Sequence, residues 1–343
     1  MNAPDTPADG TLLALAGRLA DSAGLGHARA LSRLTGGKNN QVYRIDIEAG
    51  APLVLKRYFS DPRDGRDRLA TEWDFLKRAW ETGVRAIPQP LLRDPAAQAA
   101  LYAFVPGRKL TATELDTVHV DAAADFIVAI NTRVDTALIP PASEACFSIA
   151  DHLNIVERRL SRLATLDPQA SRVAEAASFI SATLRPAWDV VKSKIARETR
   201  ALGLDINRPL ARAECCLSPS DFGFHNALAA DGRLVFLDFE YAGRDDPAKL
   251  VLDFFCQPEV PVPVQHLDRF ISRLLEGLRF DPAASTRCAL LLDACRIKWV
   301  CIVLNDFLPI GAARRSFADP GERDARCARQ IEKAKAKLGE IIA

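Results

Sequence analysis

Over the first hundred positions, after an opening helix, short alternating strand patterns flank one helical stripe. Within residues 34–47 the turn Gly36-Gly37-Lys38-Asn39-Asn40 precedes Val42, Ile45 and Ile47, which is the pattern of a hairpin entering a strand. Leu53-Val54-Leu55-Lys56 reads as the next strand and closes on a lysine. After the polar stretch Ser60 to Arg66, Leu69, Trp73, Leu76 and Trp80 recur at spacings of four, three and four. That period predicts a helix with one apolar stripe, and the same helix carries Glu72. Residues 87–92 and 100–105 predict two further short strands, the second stopped by Pro106-Gly107.

The period then changes. From about residue 110 to 205 the pattern is helical, with Phe126, Ile127, Ala129 and Ile130 on one segment and Ile155, Leu160 and Leu163 on another. The run Leu234 to Asp238 follows the turn Asp231-Gly232 as a short strand, and helices resume from about 247 through Leu274, Leu275 and Leu278, then Leu290 to Leu304. The chain therefore reads as α+β: a small β-rich N-terminal lobe over residues 1–105, and a larger, mostly helical C-terminal lobe over 106–343 that carries an inserted hairpin.

Composition narrows the function. With 343 residues, 48% of them hydrophobic, the chain can bury one large core or two smaller ones. Its 45 Lys and Arg balance 44 Asp and Glu, so no net field favours nucleic acid or an anionic membrane. Eight cysteines include no C-x-x-C pair and several lie in apolar runs, which suits buried thiols in a reducing compartment better than zinc ligands or disulfides. Residues 11–16 are apolar, but no basic region precedes them and Arg18 and Asp21 soon interrupt the run, as in an amphipathic helix. No run approaches the roughly 20 apolar residues needed to cross a bilayer. A soluble, cytoplasmic protein is the expectation.

The most specific signal is Ser218-Pro219-Ser220-Asp221-Phe222-Gly223-Phe224-His225-Asn226, followed by Asp238-Phe239-Glu240 twelve residues after Asn226. Phosphoryl transfer needs a carboxylate beside the incoming hydroxyl and oxygen ligands that hold Mg²⁺ against a triphosphate. An Asp with an Asn five residues on, then an Asp ending a strand, supplies that set: Asp221 as base, Asn226 and Asp238 as metal ligands.

This segment resembles the H-G-D-x-x-x-x-N…D-x-[DE] core of the aminoglycoside phosphotransferase and choline kinase superfamily, which has a protein-kinase-like fold. The resemblance implies that Lys56 contacts the α- and β-phosphates of ATP while Glu72 pairs with it. It implies that Gly36, Gly37 and Asn40 belong to the nucleotide-covering loop, and that the backbone of Ala103 and Val105 meets the adenine edge at a hinge. Glu240 would either touch a second metal or brace the loop.

The chain also departs from the pattern. Pro219 stands where the family has His, and Leu250 where it has an Asp, with Asp253 one turn on as a substitute. Asp245-Asp246-Pro247 resembles a structural turn of the family, His225 would pack or hydrogen-bond within its loop, and Trp299 suits the core better than a substrate platform. The implied activity is ATP- and Mg²⁺-dependent transfer of the γ-phosphate to a hydroxyl of a small polar molecule, such as an aminoglycoside, sugar or amino alcohol. The alternative is a nucleotide-binding pseudokinase, which Pro219 favours. A protein kinase is disfavoured because no Ala-Pro-Glu segment follows Asp238.

Overall fold

The computed structural model describes residues 9–34, 39–62, 64–135, 139–278, 282–309, 315, 317 and 323–342. Its contacts divide it into two compact units. The first comprises Met1–Arg108, Leu228–Glu240 and Ala313–Gly321; the second comprises Lys109–Ala227, Tyr241–Ala312 and Glu322–Ala343. A single break near residue 105 therefore omits two returns of the chain. The hairpin expected as an insert of the helical part, Ala227–Ala230 with Arg233–Phe236, lies almost wholly in the first unit. There the Phe236 N–H donates to Ala86 O at 2.8 Å, and Phe239 stacks on Phe75 with ring centroids 4.3 Å apart.

The first unit holds α1 (Asp9–Ser22), β1 (Ala28–Leu34), β2 (Gln41–Ile47), β3 (Leu53–Arg57), α2 (Arg68–Glu81), β4 (Pro90–Asp94) and β5 (Ala99–Ala103). The five strands form one antiparallel sheet in the order β1-β2-β3-β5-β4. Strand β2 buries alternate residues, Gln41, Tyr43, Ile45 and Ile47, which is the period-two pattern of a strand with one covered face. Leu12, Leu15, Ala16 and Leu19 of α1 close that core against Ile45, Leu53, Leu55 and Leu101. The expected strand at 87–92 forms three residues later. On α2 the buried face is Leu69, Glu72, Phe75, Leu76 and Ala79. Trp73 and Trp80 are only half-buried: Trp73 meets Tyr102 and Trp80 lies under Arg85. Their large rings suit the margin of the interface, where the stripe read from the sequence had placed them at its centre.

The second unit is built from α3 (Thr117–Arg133), α4 (Ile149–Arg162), α5 (Val173–Phe179), α6 (Arg185–Ala201), α7 (Pro247–Cys256), α8 (Leu267–Leu278), α9 (Ala283–Val303) and α10 (Arg323–Ile342). Helix α9 is its axis, packed against α4, α6, α7 and α10. It is buried on most sides, as expected of a helix apolar nearly all round. A run of stacked rings, Phe126–Phe222–Phe254–Phe270, ties α3, α7 and α8 to the loop after Ser218. Two short strands, Cys216–Ser218 and Gly243–Asp245, pair antiparallel in the same unit. Six of the eight cysteines are buried, Cys215 and Cys256 are half-buried, and all are thiols. Among the described residues no helix is long and apolar enough to cross a membrane.

Candidate active site

The first unit assembles five of the predicted residues. Lys56 is the penultimate residue of β3, between β2 and β5, so its side chain leaves the sheet already surrounded. Helix α2 starts where Asp67 accepts from the Ala70 N–H at 2.9 Å, and this places Glu72 on the buried face. Lys56 Nζ then donates to Glu72 Oε2 at 2.6 Å and to Asp238 Oδ1 at 2.7 Å. Two hydroxyls that the sequence did not single out complete the shell: Tyr58 donates to Glu72 Oε2 at 2.9 Å, and Tyr58 and Tyr102 hydroxyls lie 2.6 Å apart.

Asp238 has φ +66°, left-handed backbone that a non-glycine residue adopts at a cost. Two anchors hold it there. Phe239 is buried in its stack on Phe75, and Glu240 accepts from Asn39 Nδ2 at 2.7 Å and Asn40 Nδ2 at 2.6 Å, with Arg68 Nε 3.5 Å away. The Asn40 Oδ1 in turn accepts from the Phe59 N–H at 3.1 Å. Asn40 and Glu240 are thus committed to each other and fully enclosed, whereas the Asp238 carboxylate is 29% exposed. Both Glu240 oxygens already accept hydrogen bonds from these amides. The Ala103 N–H is used internally, donating to Gln89 O at 3.0 Å. Gly36 and Gly37 lie outside the described residues.

Burial and charge compete in this cluster. Burial alone would lower the pKa of Lys56, but Asp238, Glu72 and Glu240 together hold it well above the ordinary lysine value. Burial pushes Glu72 up to about 7 despite the adjacent ammonium, and pushes Glu240 up as well. The lysine is firmly cationic among more carboxylate than it can neutralise.

The second unit holds Asp221 and Asn226. Ser220, immediately before Asp221, has φ +69°. Its N–H donates to Ser218 Oγ at 3.0 Å, its hydroxyl to Ser143 O at 3.3 Å, and Lys249 Nζ reaches its Oγ at 3.3 Å. These bonds offset the strain of the left-handed turn that aims Asp221. Asn226 Nδ2 donates to Asp221 O at 3.0 Å, so the bond uses the amide nitrogen and not the oxygen that a hard cation would take. His225 Nε2 lies 3.2 Å from Asp221 Oδ1. Upstream, Asn131 of α3 exchanges two hydrogen bonds with the Leu217 backbone, at 2.7 and 2.9 Å.

Beneath that loop lies a buried ladder of charges. Lys249 Nζ is 2.7 Å from Asp245 Oδ2 and 3.3 Å from Asp253 Oδ2, and Asp253 also receives Lys298 and, at 3.2 Å, the Trp299 indole N–H. Asp246 caps α7 through the Ala248 N–H and takes Arg287 on both oxygens, with His152 Nε2 at 3.1 Å. Burial works against Asp246, yet its bonds to His152 and Arg287 bring it down to about 2. Sequence reasoning found Asp245, Asp246 and Asp253 but assigned no ion pair to Lys249 or Lys298, whose partners lie on other elements or one helical turn away.

A family model described as "Phosphotransferase enzyme family" matches residues 30–284, well over half of the chain. The chain belongs to the phosphotransferase enzyme family. Among solved structures, choline kinase from Streptococcus pneumoniae is 15% identical with a TM-score of 0.61, covering 96% of this chain and 99% of its own. Spectinomycin phosphotransferase, solved with ADP and spectinomycin, is 13% identical with a TM-score of 0.61, covering 97% and 99%. A macrolide 2′-phosphotransferase from Brachybacterium faecium is 18% identical with a TM-score of 0.56, covering 91% and 99%. Sequence comparison with curated proteins yields no match. The fold is therefore protein-kinase-like, and family membership makes the chain a small-molecule kinase.

The resemblance implies a divalent cation, and the residues present are compatible with one. Among the described residues no three His, Cys, Asp or Glu side chains form a ready cage. Mg²⁺ does not require one, because it is held by one or two carboxylates together with substrate phosphates and water. Asp238, a partly open carboxylate on a fixed backbone in a carboxylate-rich setting, is a suitable donor.

Proposed function

We propose that the protein transfers the γ-phosphate of ATP to a hydroxyl of a small polar molecule such as an aminoglycoside, sugar or amino alcohol, with Mg²⁺ as cofactor. The carrying observation is that one buried lysine, Lys56, bridges Glu72 and Asp238. Glu72, itself gripped by Tyr58, fixes the angle of the lysine stem, and Lys56 stabilises charge that builds on the phosphates during transfer. Asp238 would hold the metal, with Asn226 as the second ligand. Bound Mg²⁺ would neutralise and orient the phosphate oxygens. Residues 1–105, with the return at 228–240, form the nucleotide-binding lobe in this reading. The backbone of Ala103 and Val105 would face the base.

Asp221 carries the acceptor side. Its carboxylate orients the incoming hydroxyl and takes up its proton while the new O–P bond forms. The bond between the γ-phosphorus and the bridging oxygen breaks with the electron pair leaving on ADP. Pro219 argues for a pseudokinase, but the hydrogen bonds to Ser220 from Lys249 and to Ser218 supply an anchor at that point in the loop. A screen of hydroxylated metabolites for ATP consumption tests the proposal. Asp221→Ala is expected to cut turnover at least about a hundredfold with nucleotide binding kept. Near-normal turnover in that variant would remove Asp221 from its role.

A further inference from the structure

We infer that His225 is the positioning residue for the catalytic base, holding Asp221 through its Nε2–H. The inference rests on Asp221 acting as base.

Four residues separate the two, and the turn Phe224–Asn226 brings the ring back so that Nε2 sits 3.2 Å from Asp221 Oδ1. An ionised carboxylate only accepts hydrogen bonds, so Nε2 carries the proton. The other ring nitrogen decides the rest. Nδ1 is buried with no hydrogen-bond partner among the described residues. A proton there would be an unsatisfied buried donor, which costs more than a bare lone pair packed against carbon. The geometry thus gives the ring one hydrogen-bonding direction, from Nε2 toward Asp221.

The sequence also leaves room for it. A Cβ at Gly223 would stand 2.7 Å from His225 Nδ1 and 2.9 Å from Cε1, so only glycine lets the ring lie flat against the loop. The backbone of Gly223 is extended, φ 168°, so the glycine serves close approach and not a left-handed turn. The His225 carbonyl is pinned in turn by Lys109 Nζ at 2.7 Å, and Phe224 beside it is fully buried against Phe254. Pro219 provides no side-chain hydrogen bond on the N-terminal side of Asp221. His225 supplies one from the C-terminal side.

The test measures Mg·ATP hydrolysis, with water as acceptor, in wild type, Asp221→Asn, His225→Phe, His225→Gln and Gly223→Ala, each checked for folding by circular dichroism. The tautomer of His225 is read in parallel from ¹⁵N-imidazole NMR. His225→Phe and Gly223→Ala should lower kcat about tenfold while KM for ATP stays within about twofold. His225→Gln, which retains an N–H at similar reach, should recover most of the loss. Loss in Asp221→Asn with full kcat in His225→Phe overturns the inference and leaves the base intact. Full kcat in Asp221→Asn overturns the base assignment itself. Should wild-type hydrolysis fall below detection, the NMR decides: an Nε2–H signal that changes in Asp221→Asn supports the inference, and an Nε2 signal that is the same in both proteins overturns it.

Discussion

Each unit buries a cluster of charges, and the two clusters differ in balance. Around Lys56 three carboxylates, Glu72, Asp238 and Glu240, face two cations, Lys56 and Arg68, and Arg68 is shared with Asp64. Around Lys249 three carboxylates, Asp245, Asp246 and Asp253, face three cations, Lys249, Lys298 and Arg287, with His152 in addition. The pKa directions follow the count at four of these carboxylates, Asp245 of the Lys249 cluster being raised by burial in spite of Lys249. Burial prevails at Glu72 and Glu240, which are raised, while the neighbouring cations prevail over burial at Asp246 and Asp253, which are lowered. A buried charge alone says little about function, since matched sets hold many folds together. A surplus of negative charge beside a part-open carboxylate is what a cation-dependent site requires before its cation and nucleotide arrive.

The contrast can be broken by removing one lysine from each cluster. Lys249→Met should cost about 3–5 kcal/mol of stability in urea denaturation, because the buried Asp245 and Asp253 lose a shared partner. Lys56→Met should cost less than half as much, since Glu72, already at about 7, can take up a proton instead. Equal losses would mean that both clusters are structural.

Removing a carboxylate gives a smaller effect of opposite sign. Asp253→Asn should destabilise, whereas Asp238→Asn should leave stability unchanged or raise it by up to about 1 kcal/mol, as expected where a site keeps charge for function at the expense of the fold. Thermal denaturation of both variants distinguishes the cases. A stability loss in Asp238→Asn as large as in Asp253→Asn would contradict the imbalance.

The smallest effect is in pH. Glu72 binds its proton more tightly folded, at about 7, than at its ordinary value of 4.5. Between those values the unfolded chain has lost the proton and the folded chain has not, so this contribution to stability is present at low pH and is lost as pH rises toward 7. Glu72→Gln removes it, and its stability should fall less between pH 4.5 and 7 than that of wild type. Parallel curves would place the titration elsewhere.

The order of elements and the candidate residues were legible in the sequence because they rest on local signals: strand alternation ending at Lys56, a helix period carrying Glu72, and the fixed spacing of Asp221, Asn226 and Asp238. What was not legible depends on long-range geometry. Tyr58 and Tyr102 are 44 residues apart and meet only because β3 and β5 pair. Lys298 looks like any surface lysine until α9 packs on α7. Glu240 read equally as ligand or brace, and the Asn39 and Asn40 amides that enclose it lie some 200 residues away.

The central claim is that the carboxylate surplus around Lys56 is a site for Mg²⁺ and nucleotide, and calorimetric titration of ATP with and without Mg²⁺ tests it most directly. Wild type should bind ATP far more tightly when Mg²⁺ is present, and Asp238→Asn should lose most of that metal dependence while remaining folded. Equal affinity and equal metal dependence in the two proteins would contradict the account.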